Sequence, residues 1–342
     1  MLRILAVALA WLGLSAPGRA APAELIALRG ATMGSTWAVT YRPGTGTPVR
    51  AAVERAVQAR LDDLERQMST WRADSDLSHF NASRDTNWFP VPQDTAVTVR
   101  EALAVSALTD GAFDVTVFPL VQLWGFGPAG RRGGLPTTNE IAAALAKVGW
   151  RKLAVRLDPP ALRKTQPAVA VDLSALCPGY ASDCLGELLA ARDVRDFLVD
   201  VGGELKAVGN GASGYGWRVG VERPSARPPV EGSFVATLPL VNQSLATSGD
   251  YRNFFSLAGR RYSHHLDPRT GWPTESTLAS VSVVHASTMH ADALGTGLTV
   301  LGFERGWALA EREQLGVLFI VRVGERFTLR ATGWWPRVGK QD

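Results

Sequence analysis

Cysteine is almost missing from this chain: its 342 residues hold two, Cys177 and Cys184. That excludes a small disulfide-stapled fold and a cysteine-rich zinc module. If ASDCLGELLA is helical, the two cysteines stand about 10 Å apart at about 1.5 Å per residue. A bridged pair tolerates no more than roughly 7 Å between Cα atoms, so two free thiols are expected. Dense runs of lysine or arginine are also missing. The formal net charge is +4, and RPGTGTPVR from Arg42 and GRRGG from Gly130 are too sparse for a nucleic-acid patch. No repeat, low-complexity tract, Walker A sequence, HExxH or GxSxG is present.

What the chain does have is apolar mass. Apolar residues make up 46% and charged residues 20%, enough for one large domain or two small ones with real cores. Its start reads differently. Arg3 precedes an apolar stretch, Ile4 to Leu14, of signal-peptide length and too short to span a bilayer. Small residues follow, and cleavage after Ala20 or Ala23 fits. With no cysteine near that point, the expectation is a signal peptide over residues 1–20 and a single domain over 21–342. The mature chain is then soluble and periplasmic.

Helical spacing of Val53, Val57, Leu61, Leu64 and Met68 predicts an amphipathic helix from about Val49 to Ser69. A second is expected over Thr95–Thr109, stopped by Gly111. Thr137 and Glu140 form a capping-box pattern before IAAALAKVGW, and a helix is expected over Tyr180–Arg192. Strand signals are WAVTY, KLAVRL, AVAVDL, DFLVDVG, GWRVGVE, LASVSVV and VLFIVRV. Helices gather early and antiparallel strand pairs dominate later, which argues for an α+β fold. Gly125–Pro136 and Arg223–Pro229 read as surface loops.

Two segments match the dinucleotide pattern G-x-G-x-x-G: GFGPAG at Gly125 and GNGASG at Gly209. Neither sits between a strand and a helix as that motif requires, so both are set aside. Three other stretches carry chemistry. In MHADALGTGLTVLG, Asp292 and Thr296 lie four apart on one helix face, a hard oxygen pair suited to magnesium. Gly295 and Gly297 weaken a helix, which implies a close neighbour at its backbone. In VDLSALCPGYASD, Asp172 is expected to end a strand before a Pro178-Gly179 turn into a helix, a junction that offers backbone groups to a phosphate–metal cluster. In YSHHLDPRTGWP, His264 and His265 precede a strong turn, and a histidine can act as a general base near neutral pH. His79 and His285 look incidental, and His290 beside Asp292 does not by itself make a metal site.

Eight blocks in order resemble the FAD:protein FMN transferase (ApbE) family. They are GATMGSTW at Gly30, MSTWRADSDLSHFN at Met68, GAFDVTVFPLVQLWGFG at Gly111, VDLSALCPGYASD at Val171, LVDVGGELKAVG at Leu198, ATSGDYRNFF at Ala246, YSHHLDPRTGWP at Tyr262 and MHADALGTGLTVLG at Met289. They span almost the whole mature chain. The resemblance implies a T-fold-like flavin transferase domain with mixed or antiparallel sheets and packed helices. It implies a Mg²⁺-dependent enzyme that cleaves FAD, attaches FMN by a phosphoester to a threonine of a target protein and releases AMP. By motif, Asp292, Thr296 and the Ala175 carbonyl would hold the metal. Met33, Trp71, Ala112, Phe113, Asp114, Asp172, Pro178 and Leu266 would touch FAD, and His264 would be the base for the acceptor threonine. The implied acceptor is an extracytoplasmic domain of a membrane electron-transport complex.

Two departures stand out. Where the family usually has Lys or Glu before Gly-Tyr, this chain has Pro178, which removes a charge and an N–H. His265 stands where an aliphatic residue is common. Two other activities compatible with the resemblance are FAD hydrolysis to FMN and AMP, and non-catalytic FAD binding by an accessory protein of a respiratory complex.

Overall fold

A computed structural model describes residues 24–335 apart from 132, 226–232, 252, 325 and 334. The expected signal segment, residues 1–20, lies outside the described residues. Seven helices occur among them: α1 (Arg50–Met68), α2 (Asp76–Ala82), α3 (Gln93–Leu108), α4 (Phe118–Trp124), α5 (Thr138–Leu145), α6 (Cys177–Ala190) and α7 (Thr288–Arg312). Six of them precede residue 191, so helices do gather early.

The main sheet has eight strands whose spatial order is also their chain order: Ile26–Thr32, Ser35–Tyr41, Phe197–Val201, Glu204–Val208, Gln243–Gly249, Leu278–His285, Gly316–Val323 and Arg326–Ala331. Every described pairing, in this sheet and in the smaller ones, is antiparallel. Alternation along the strands sends residues to two faces. Val317 and Phe319 join the large core shared with α1, α3, α6 and α7, while Leu318 and Ile320 join a second core on the opposite face. The hairpin of Trp217–Glu222 and Phe234–Leu240 covers that second face with Trp217, Leu238 and Leu240. In Leu278–His285 a bulge between Leu278 and Ser280 resets the alternation. Leu278 therefore packs with the large core and Ala279 with the second, while Val281 and Val283 return to the first.

Three sequence expectations shift. The expected Tyr180–Arg192 helix starts three residues earlier, at Cys177, because Pro178 falls in the first turn, where a missing N–H costs no helical hydrogen bond. AVAVDL is not a strand. It pairs with no strand, and its neighbour is a side chain: Asn81 donates from Nδ2 to the Val171 carbonyl (2.8 Å) and accepts from the Val171 N–H (2.7 Å). The buried Lys164 ammonium also donates to the Val169 carbonyl at 3.2 Å. The helix bearing Asp292 runs further than its motif, to Arg312, and breaks at Gly302 (φ 79°, ψ 176°). No helix among the described residues is long and apolar enough to cross a membrane.

Candidate functional site

α6 and α7 meet where the motifs concentrate. Gly179 lies in the first turn of α6, and its backbone N–H donates to Asp292 Oδ2 at 3.1 Å. No larger residue fits: a Cβ at 179 would stand 2.6 Å from the Thr288 carbonyl and 2.8 Å from Asp292 Cβ. Lying in the first turn, the Gly179 N–H has no carbonyl partner within α6 and is satisfied by Asp292 instead.

Asp292 is only 7% exposed, and burial pushes its carboxyl pKa up to about 8, opposed by the Gly179 N–H. No salt bridge reaches it among the described residues. One turn on, Thr296 Oγ1 lies 3.2 Å from Ser248 Oγ. Gly295 and Gly297 explain themselves: a Cβ on either would collide, with Ser248 Oγ at 2.9 Å and Thr109 Cγ2 at 2.8 Å. The close neighbours the sequence implied are therefore the Gln243–Gly249 strand and the turn after α3.

That turn carries Ala112, Phe113 and Asp114. Phe113 N–H donates to Thr109 Oγ1 at 3.1 Å. Ala112 and Phe113 are buried, so what they can offer a ligand is chiefly backbone. The Asp114 carboxylate accepts from Thr116 N–H (2.8 Å), Thr116 hydroxyl (2.6 Å) and Trp150 N–H (2.7 Å). Burial raises its pKa against those bonds. Its visible work is to hold the turn. Asp172 joins the same place through its N–H, which donates to the Val115 carbonyl at 2.7 Å. Its carboxylate accepts from Ser174 N–H and hydroxyl, and burial raises its pKa too.

Pro178 faces the Gly202 turn, 3.8 Å from where a Cβ would stand, and Ser35 Oγ is at the same distance. Met33, at φ 51° in the hairpin turn before Ser35, gives its N–H to Glu65 of α1. Asp292, Glu65 and Asp172 all lie close enough to help burial push the Cys177 thiol up. Both cysteines are free, buried and raised in pKa, so neither is a nucleophile. Trp71 is 66% exposed on a loop pinned by Ser75 Oγ to the Ser69 carbonyl (2.7 Å) and Ser78 Oγ to the Arg72 carbonyl (2.7 Å). An exposed ring on a fixed loop can stack on a flat ligand.

The histidine loop belongs to a separate small core. Leu266 is buried with Leu120, Trp124, Ile141 and Tyr262, and it bridges Pro273. Trp124 stacks on Tyr262 at 5.8 Å and donates Nε1–H to the Gly271 carbonyl at 2.9 Å. His264 Nδ1 sits 2.8 Å from the Asn253 carbonyl, so Nδ1 carries the proton and Nε2 keeps its lone pair. Burial lowers the His264 pKa, which keeps the ring neutral near pH 7. His265 is fully enclosed beside it and lies well below the ordinary histidine range. The segment 246–251 ties the two halves together: Ser248 meets Thr296, and Asp250 acts electrostatically on His264.

Sequence reasoning missed Glu65, Ser248 and Asn81, which hold Met33, Thr296 and Val171. Glu65 repeats no motif, but Ser248 and Asn81 both lie within matched blocks, and that was the available signal. The two glycine-rich decoys are structural turns. Gly125 ends α4 at φ 78°, and Gly209 (φ 80°) sits against Asp196. Among the described residues, no group of three or more His, Cys, Asp or Glu side chains is placed to hold a metal.

A family model for the ApbE family matches residues 33–319. An FAD:protein FMN transferase of Vibrio cholerae is 40% identical over 90% of this chain and 90% of its own length. The Escherichia coli protein of that name is 37% identical over 91% of this chain and 88% of its own. The solved flavin transferase ApbE of Vibrio cholerae superposes with a TM-score of 0.84 at 38% identity, over 92% of this chain and 99% of that one. The apo flavinyl transferase ApbE of Pseudomonas stutzeri gives 0.83 at 40% identity, over 91% and 96%.

Proposed function

The chain belongs to the ApbE family, and from that premise we propose that it is a Mg²⁺-dependent FAD:protein FMN transferase. In this reading FAD is cleaved at its pyrophosphate, FMN is joined by a phosphoester to a threonine of an acceptor protein, and AMP leaves. The observation that carries it is Asp292: a buried carboxyl with no salt bridge among the described residues, one turn from the Thr296 hydroxyl and hydrogen-bonded to the first turn of α6.

Those donors fit magnesium. Asp292, Thr296 and the Ala175 carbonyl are hard oxygens, and a buried carboxyl pushed up to about 8 is held neutral for want of positive charge. The ion, when bound, would polarise the pyrophosphate and neutralise charge on the departing phosphate. The rest falls to the protein. Trp71 offers a ring face for flavin or adenine. In this reading Met33, Ala112, Phe113, Asp114, Asp172, Pro178 and Leu266 line the remaining length of FAD. His264 Nε2 accepts the proton of the acceptor hydroxyl as its oxygen bonds to the FMN phosphorus, and the P–O bond to AMP breaks.

The acceptor in this proposal is an extracytoplasmic domain of a membrane electron-transport complex, met in the periplasm after removal of residues 1–20. The test is mass spectrometry of an acceptor domain incubated with enzyme, FAD and Mg²⁺. A mass gain of one FMN on a threonine is expected, lost with Asp292→Ala. Release of free FMN without acceptor modification would mark a hydrolase instead. FAD binding without AMP release, unchanged by Asp292→Ala, would mark an accessory protein. Pro178 is the feature that motivates that last reading, since it offers FAD neither the charge nor the N–H of the usual Lys or Glu.

A further inference from the structure

Asp183 lies one turn after Gly179 on α6, so both face the start of α7. Its two carboxylate oxygens collect the whole beginning of that helix. Oδ1 accepts from Thr288 N–H (3.0 Å) and Thr288 hydroxyl (2.9 Å), and Oδ2 from Met289 N–H (3.0 Å) and Ser287 hydroxyl (2.9 Å). Lys206 Nζ donates to Oδ1 at 2.9 Å and to the Ala286 carbonyl at 2.7 Å, fixing the carboxylate from the sheet side. Ser287 is itself the residue that caps α7, accepting from His290 N–H at 3.2 Å. Three residues beyond Met289, Asp292 returns a carboxylate to α6 at Gly179. Each helix thus caps the first turn of the other.

We propose that Asp183 is a positioning residue that sets the phase of α7, and so places Asp292 and Thr296 against the Ala175 carbonyl for the metal. The physical reason is helix stiffness. A slip of one residue at the start of α7 moves it about 1.5 Å and turns it about 100°, which takes Asp292 off Gly179 altogether. The reciprocal caps permit only one register, and the Gly179–Asp292 approach, where a Cβ would stand 2.8 Å away, permits no other. Asn at 183 keeps the size but replaces one acceptor oxygen with a donor that opposes Met289 N–H or Ser287 hydroxyl.

The metal arm of this proposal rests on the transferase reading, and the first measurement does not. Hydrogen exchange is measured on full-length apo protein as wild type, Asp183→Asn, the milder Ser287→Ala, and Thr137→Ala, which removes the cap of α5 elsewhere. The Gly179 amide is expected to lose at least tenfold protection in Asp183→Asn and less in Ser287→Ala, with no change in Thr137→Ala. Faster exchange confined to Thr288 and Met289, with Gly179 still protected, overturns the proposal. The second measurement titrates MgCl₂ against FAD-loaded protein by flavin fluorescence. Half-saturation is expected to rise 10–100-fold in Asp183→Asn, as for residues that orient metal ligands, with the KM for FAD far less affected than kcat. An unchanged Mg²⁺ midpoint beside a lowered melting temperature also overturns it. A wild type that does not respond to Mg²⁺ refutes the transferase reading, and the Gly179 result still decides this one.

Discussion

The α6–α7 junction and the histidine loop both interact with the 246–251 segment, and they are built by different means. The junction is made of polar bonds between regular helices with glycines at the closest approach: a Cβ on Gly179, Gly295 or Gly297 would stand within 3 Å of a neighbouring atom, and only at Gly179 is that neighbour backbone. The histidine loop is made of aromatic stacking around Trp124 and Tyr262, with a hairpin, Phe254–Leu257 and Arg260–Ser263, beside it. A group that must hold a metal and a pyrophosphate gains from rigid elements, since small misplacements are costly there. A base that must meet a macromolecular acceptor belongs nearer adaptable loops. On the proposed function, charge stabilisation would fall to the first region and proton transfer to the second.

The contrast breaks first at Asp292. Asp292→Ala is expected to lower FMN transfer by about three orders of magnitude, since metal stabilisation of the transferred phosphate is worth several kcal/mol. Single-turnover AMP release measures it. His264→Gln is expected to cost about 10²–10⁴-fold in transfer to the acceptor, while FAD and Mg²⁺ affinities stay put. A His264 variant that loses FAD binding would merge the two regions into one.

Gly179→Ala should destabilise by about 1–3 kcal/mol in denaturant melts, because its methyl meets the Thr288 backbone rather than a movable side chain. Gly133→Ala, which meets nothing within 4 Å, is the matched control. On the other side, His265 is buried neutral with a depressed pKa. The unfolded chain then binds more protons below the ordinary value near 6.5, so stability is lost as pH falls through that value and is level above it. His265→Leu should therefore stabilise the protein at pH 5 by up to about 2 kcal/mol more than at pH 8. The smallest effect is expected from Pro178→Lys: a stability change within about 0.5 kcal/mol, with any gain appearing in FAD affinity alone.

Much of this was legible in the residues. The α1 stripe from Val53 to Met68 gave its helix to within one residue at each end, because its apolar spacing faces a single core. The Thr137–Glu140 box closes as expected, both of its bonds present. Asp292 and Thr296 share a face because four-residue spacing admits nothing else in a helix. What stayed hidden was carried by contacts between distant segments. AVAVDL has the composition of a strand, and only the fold reveals that Asn81 occupies its hydrogen-bonding edge. The Gly179–Asp292 bond could not be read from either motif alone, since each looks complete as a local helix start. The short α4 helix was hidden behind a proline that serves as its entry.

The strand order of the main sheet has a consequence in time. The strands of the main sheet lie side by side in the order in which synthesis delivers them, yet the partners that join α6 to α7 are 113 residues apart, Gly179 near mid-chain and Asp292 near the end. A growing chain can zip its first ladders long before α7 exists to bring Asp292 to the start of α6, so that junction is among the last parts of the molecule to be completed.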